Sequence, residues 1–91
     1  MRRFVIEREI PGVGQLTASQ LKEVASTSNA ALAQLGGRAQ WVESFVAEDK
    51  TFCVYLADSE KAVQEHARLS GCPASKVTQV SGVIDPMTAV A

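Results

Sequence analysis

Two short runs rich in β-branched and aromatic residues lie close together in the middle of this chain. They cover residues 41–47 and 51–56, and the residues between them, Glu48, Asp49 and Lys50, have turn chemistry. The pair predicts a β-hairpin, in which the two strands are antiparallel. A segment with helical periodicity lies on each side of the hairpin, and this order limits the folds that the chain can adopt.

Start and stop signals divide the rest of the chain into one strand and one helix on each side of the hairpin. A serine, threonine or aspartate caps each predicted helix, and glycine follows it. The predicted elements are a strand over 4–10, a helix from Thr17 or Ser19 to 35, the hairpin, a helix from Asp58 or Ser59 to 70, and a strand over 76–84. The order β-α-β-β-α-β predicts an α+β ferredoxin-like fold, with a four-stranded antiparallel sheet and two helices on one face.

Length and composition agree with a single domain over residues 1–91 and exclude several classes of protein. The 91 residues, 46% of them hydrophobic, are enough for one core. A net charge of -1, with neither sign gathered in a block, argues against partners such as nucleic acid or an anionic membrane. The first residues lack the apolar core of a signal peptide, so we expect a cytoplasmic protein. Residues 86–91 are expected to form a flexible tail.

Both faces of the predicted sheet are largely apolar. One set of alternating positions holds Phe4, Ile6, Trp41, Phe45, Phe52, Val54 and Leu56. The other set holds Val5, Glu7, Val42, Ser44, Cys53, Tyr55 and Ala57. An antiparallel sheet with one solvated face alternates apolar with polar residues, and a large exposed apolar patch favours association. We therefore predict a homodimer formed through the sheet.

The single histidine, His66, falls on the apolar face of the second predicted helix. A buried imidazole needs a partner for each ring nitrogen, so other groups of the chain must reach it. If the first set of strand residues lies under the helices, His66 is a structural residue bound to a carbonyl or hydroxyl group. If the second set lies there, Glu7, Cys53 and His66 converge as a carboxylate, a thiolate and an imidazole, which suit Ni²⁺, Cu²⁺ or Zn²⁺.

Several segments of the chain resemble a family of small bacterial ferredoxin-like proteins. The segments are Glu7-Arg8, Trp41 to Phe45, Asp49 to Tyr55, Glu65 to Ala74 and the Val-Ile-Asp-Pro sequence near the C terminus. Some members of this family are described as nickel-binding. The resemblance implies a ferredoxin-like fold, a dimer, and metal binding by at least some members. The polar residues that match the family pattern are Glu7, Ser44, Cys53, Tyr55 and His66.

Two hypotheses of different classes follow. The first is a small dimeric metal-binding protein that holds nickel or another divalent transition metal through His66, Cys53 and Glu7. In this hypothesis Ser44 and Tyr55 are cofactor-binding residues beside the metal. The second is a cofactor-free enzyme, an oxygenase or isomerase, or a small-molecule binding module that uses the same pocket. There His66 or Glu7 acts as acid or base, and Tyr55 orients the substrate.

Structural observations distinguish these hypotheses. A cavity lined by Trp41 and Phe45 favours the enzyme or binding module, whereas a compact cluster of nitrogen, sulfur and oxygen ligands around His66 favours the metal site. A tightly packed interface without a cavity favours a third possibility, in which the domain serves only for assembly.

Overall fold

The computed structural model describes residues 1–90 and contains the predicted order of elements. The strands are β1 (Arg2–Glu9), β2 (Ala39–Val46), β3 (Lys50–Ala57) and β4 (Lys76–Val80), and the helices are α1 (Ala18–Gln34) and α2 (Glu60–Ser70). Neighbouring strands are antiparallel in the order β2-β3-β1-β4, and this topology confirms the predicted ferredoxin-like fold. None of the helices in residues 1–90 is long and apolar enough to cross a membrane.

Local capping signals set the ends of both helices. At the start of α1 the Thr17 side chain accepts the Gln20 backbone N–H, and the Gln20 side chain accepts the Thr17 backbone N–H. At the start of α2 the Ser59 hydroxyl accepts the Ala62 N–H. Gly71 ends α2 in the left-handed conformation at φ 73°. These ends agree with the predicted ones.

The last strand is shorter than predicted. It ends at Val80, which pairs with Arg3 close to the start of β1, so the residues after Val80 have almost no partner strand left to extend along. A short 3₁₀ helix, Pro86–Val90, follows, and all of its residues are exposed. The predicted flexible tail covered this helix and Ala91, which lies outside the described residues.

The strand register determines which side chains lie under the helices, and it differs from the predicted grouping. Strands β1 and β3 pair so that Phe4 is opposite Tyr55 and Ile6 is opposite Cys53. Directly opposed residues share a face of the sheet. The prediction that Phe4 and Ile6 share a face with the even-numbered residues of β3 is therefore wrong. Alternation along one strand shows which of its residues share a face. It does not show which residues of a second, distant strand lie on that same face, because this depends on the pairing register.

A β-bulge in β2 also changes which residues of that strand lie under the helices. The register against β3 moves between Trp41 and Glu43, so Val42 is an extra residue in that strand. Trp41 and Ser44 consequently lie on the helix-covered face, opposite Tyr55 and Cys53. Phe45 lies on the other face and is 57% exposed. The prediction that Trp41 and Phe45 share a face is wrong, because alternation cannot reveal an inserted residue.

The open face, on the side of the sheet away from the helices, carries apolar side chains along two central strands. Its half-buried residues include Val5, Phe52, Val54 and Leu56. Glu7 also lies there, opposite Phe52 in the register, with a carboxylate oxygen 3.4 Å from Lys50 Nζ. The homodimer predicted from the sequence would form through this face, and it stays a prediction.

Candidate functional site

A cavity of about 470 Å³ lies between α1 and the helix-covered face of the sheet. Apolar side chains from the loop after β1, from α1 and from β2 line most of it, among them Ile10, Val13, Leu16, Leu21, Val24 and Trp41. A polar cluster interrupts this apolar lining and consists of Arg8, Ser28, Tyr55 and His66. The cavity has the size and the mixture of surfaces that are typical of small-molecule sites.

Two loops approach each other closely beside the cavity, and Ile10 and Val13 of the first loop line it. The backbone N–H groups of Ile10 and Gly14 donate to the carbonyls of Asp49 and Glu48 at 3.0 and 2.9 Å. A Cβ atom at Gly14 would lie 2.8 Å from the Ala47 carbonyl oxygen, so only glycine permits this approach. Gly14 thus holds the loop that follows β1 against the hairpin turn.

His66 is the buried centre of the hydrogen bonds in the polar cluster, with 2% of its surface exposed. Its Nδ1 lies 3.4 Å from Arg8 Nη2, and its Nε2 lies 3.1 Å from Ser28 Oγ and 3.4 Å from the Ser28 carbonyl oxygen. A guanidinium can only donate, so Nδ1 is the acceptor and the proton of the neutral ring is on Nε2. The expectation that other groups reach both ring nitrogens is confirmed.

Burial and a neighbouring charge keep this imidazole neutral. Desolvation, and then the positive charge of Arg8, lower the pKa of His66 below its ordinary value of 6.5. The Tyr55 ring lies beside it, with the two ring centroids 5.0 Å apart. Burial raises the pKa of the Tyr55 phenol above 10.0, against the effect of its hydrogen bond with Ser28. At neutral pH the cluster therefore combines one cation, Arg8, with neutral partners.

The reasoning from sequence missed Arg8, which is 3% exposed. It follows Phe4 and Ile6 at alternate positions of β1, so it lies under the helices with them. Its Nη1 donates to the carbonyls of Cys72 and Pro73 at 3.2 and 3.0 Å. No carboxylate in residues 1–90 forms an ion pair with it. A charged residue in phase with two large apolar ones was the signal that could have identified it.

The five predicted site residues are divided between the two faces of the sheet. Four of them line the cavity: Ser44, Cys53, Tyr55 and His66. Ser44 accepts the Trp41 Nε1–H at 2.9 Å, and the Cys53 sulfur lies 3.4 Å from Thr51 Oγ1. Glu7 lies on the open face, so the structure does not bring it to His66.

The groups around His66 do not fit a divalent metal ion. Both of its ring nitrogens already have hydrogen-bond partners, and the guanidinium beside Nδ1 would repel a cation. The third predicted ligand, Glu7, is on the opposite face of the sheet. Throughout residues 1–90 no three His, Cys, Asp or Glu side chains form a group that could hold a metal ion. The cluster consists instead of a guanidinium, two hydroxyls and an imidazole.

Comparisons with known proteins agree with the fold and with the resemblance seen in the sequence. The family model described as "Nickel responsive protein SCO4226-like" matches residues 4–80. The curated proteins include no match to the chain. The crystal structure of SCO4226 from Streptomyces coelicolor A3(2) is similar, with a TM-score of 0.75 at 18% sequence identity over 90% of this chain and 99% of that one. This likeness shows the shared fold, and the match over residues 4–80 shows that the chain belongs to the family of nickel-responsive proteins similar to SCO4226.

Proposed function

We propose that this protein binds a small, largely apolar molecule in the cavity between α1 and the sheet. The observation that carries the proposal is a space of about 470 Å³ with apolar walls and one polar cluster. Val24 lines the cavity and is 42% exposed, so a ligand has only a short path from solvent past α1.

The hydrogen bonds of the cluster support binding more than acid–base catalysis. A general base needs a nitrogen or oxygen that is free to take a proton from the substrate. In His66, Nδ1 accepts from Arg8 and Nε2 donates to Ser28, so neither ring nitrogen meets this requirement. Glu7, the other residue considered as an acid or base, does not line the cavity. The oxygenase or isomerase therefore has less support than a binding module.

A fluorescence titration with phenylnaphthylamine tests the proposal. This neutral aromatic amine emits strongly in an apolar environment, and its binding does not depend on a charged partner. We expect saturable binding of one molecule per chain to the wild type. Ala25 lines the cavity from α1, so Ala25→Phe fills part of the space and should weaken binding about tenfold or more.

The control is Ala33→Phe, which makes the same change at an exposed position of the same helix. It should leave the affinity for phenylnaphthylamine unchanged. The proposal is wrong if the wild type shows no saturable binding. It is equally wrong if Ala25→Phe and Ala33→Phe bind the probe as tightly as the wild type does, because the probe then binds elsewhere, for example on the open face.

Nickel binding, which the family description suggests, needs a separate experiment. The family description supports a response to nickel, whereas the geometry gives no support to ligation by His66, Cys53 and Glu7 together. Calorimetric titration of tag-free protein with nickel chloride compares the wild type with His66→Gln. We expect equal nickel binding by both proteins. A loss of nickel binding in His66→Gln would show instead that His66 takes part in nickel binding.

A further inference from the structure

We propose that the molecule bound in this cavity is a small organic acid whose anionic group pairs with Arg8. This inference rests on the proposed binding function and adds the chemical class of the ligand. Two independent observations carry it: the charge balance of the cavity and the surplus of hydrogen-bond donors in its polar cluster.

The charge balance of the cavity favours an anion. Arg8 is 3% exposed, and it is the only charged side chain among the lining residues in the part of the chain that the structure describes. The carbonyls of Cys72 and Pro73 provide dipoles for the guanidinium but no opposite charge. A buried charge without a counter-ion is costly in free energy. A ligand with one negative charge removes this cost, whereas a cation increases it.

The surplus of donors favours the same class of ligand. A guanidinium has five N–H groups. Three of them contact the carbonyls of Cys72 and Pro73 and Nδ1 of His66, and the Tyr55 hydroxyl interacts with the same guanidinium, so at least one N–H group is left for a ligand. The hydroxyls of Ser28 and Tyr55 lie 3.2 Å apart and share one hydrogen bond, which uses one of their two hydrogens. The remaining donors match a carboxylate, which only accepts.

The apolar walls define the rest of the ligand. Leu21 and Val24 from α1 and Trp41 from β2 surround the space and offer no charged partner. An inorganic anion such as phosphate would leave these surfaces without contacts and would fill only a small part of the volume. The cavity therefore suits an aromatic or branched aliphatic acid, with its acidic group at Arg8 and its apolar body against α1 and Trp41.

The experiment compares two probes that share one skeleton. Anilinonaphthalene sulfonate is phenylnaphthylamine with one sulfonate group added, so the ratio of their dissociation constants isolates the contribution of the negative charge. We expect the wild type to bind the sulfonate more tightly than the neutral amine. In Arg8→Met the preference for the sulfonate should fall by about tenfold or more, because its partner is gone. Arg3→Met, an exposed arginine on the same strand, should not change the ratio.

The outcomes separate this inference from the proposed function. If the neutral amine binds in a manner that depends on Ala25 and the wild type does not prefer the sulfonate, the cavity binds ligands but the inference is wrong. An equal preference for the sulfonate in Arg8→Met and the wild type also overturns it. If neither probe binds, both proposals fail. If Arg8→Met does not fold, the ratio of the two dissociation constants is measured for the wild type and for Arg8→Lys instead. Lysine keeps the charge, so Arg8→Lys should retain part of the preference for the sulfonate.

Discussion

Acidification should destabilise this protein through His66, the only histidine in the chain. In the unfolded chain its pKa is 6.5, whereas burial and Arg8 hold the pKa of the folded state below that value. As the pH falls through 6.5, the unfolded chain therefore takes up the proton before the folded chain does. The contribution to stability is fully present above the unfolded pKa, and it is lost progressively as the pH falls toward the folded pKa.

Proton linkage gives the size of this effect. Proton uptake by the unfolded chain sets the upper limit, which is a fall of about 1 kcal/mol in the free energy of unfolding between about pH 7 and about pH 5.5. Two unit charges about 4 Å apart repel each other by about 4 kcal/mol at an effective dielectric constant of about 20. Nδ1 lies 3.4 Å from the Arg8 guanidinium. This repulsion acts in the same direction as burial, which is the larger cause, so both lower the pKa of His66 in the folded protein.

Urea unfolding followed by the fluorescence of Trp41, the single tryptophan, measures this difference. The midpoint of thermal unfolding should also fall, by roughly 4–8 °C. His66→Gln keeps hydrogen-bonding atoms at the position but has no titrating group, so its stability should change much less between the two pH values. The reasoning is refuted if the wild type is equally stable at both, or if His66→Gln loses as much stability as the wild type does.

Two further substitutions test contacts at and beside the cavity. Gly14→Ala places a Cβ atom against the Ala47 carbonyl and should cost about 1–3 kcal/mol of unfolding free energy in urea denaturation. Gly82→Ala, where a Cβ atom meets nothing within 4 Å, is the matched control, and equal stabilities of the two variants would contradict the close approach of the loops. Ser44→Ala removes the acceptor of the Trp41 indole N–H and should cost about 1 kcal/mol. An unchanged urea midpoint would show that this hydrogen bond does not hold Trp41 in the wall.

The elements of the fold could be predicted from sequence because local interactions determine them. The capping box at Thr17 and the left-handed glycine at Gly71 are set by residues within one turn of each helix end. The faces of the strands depend on register and on the bulge at Val42, which arise from contacts between distant segments. For this reason the helices were predicted correctly, whereas each of the two alternative sets of strand residues lies only partly beneath them.

The candidate site was predictable to the extent that its residues follow a regular periodicity. His66 was identified from the apolar face of α2, and the structure places it in a buried cluster. Ser28 lies at an apolar position of α1, and Arg8 lies in phase with Phe4 and Ile6, so both showed the same kind of signal. Neither residue was recognised as a partner of His66, because the convergence of three elements cannot be read from any one of them.

A small organic acid would account for two costly features of the folded protein at once. The cavity beneath α1 forgoes the van der Waals contacts that larger residues at Ala25 and Ser28 would make with the sheet. The cluster within it buries the Arg8 guanidinium, which has no carboxylate partner in residues 1–90. The apolar body of such a ligand would supply the missing van der Waals contacts, and its acidic group would supply the missing negative charge. One ligand would therefore offset both costs. A metal ion would supply neither, because it fills little volume and adds positive charge beside Arg8.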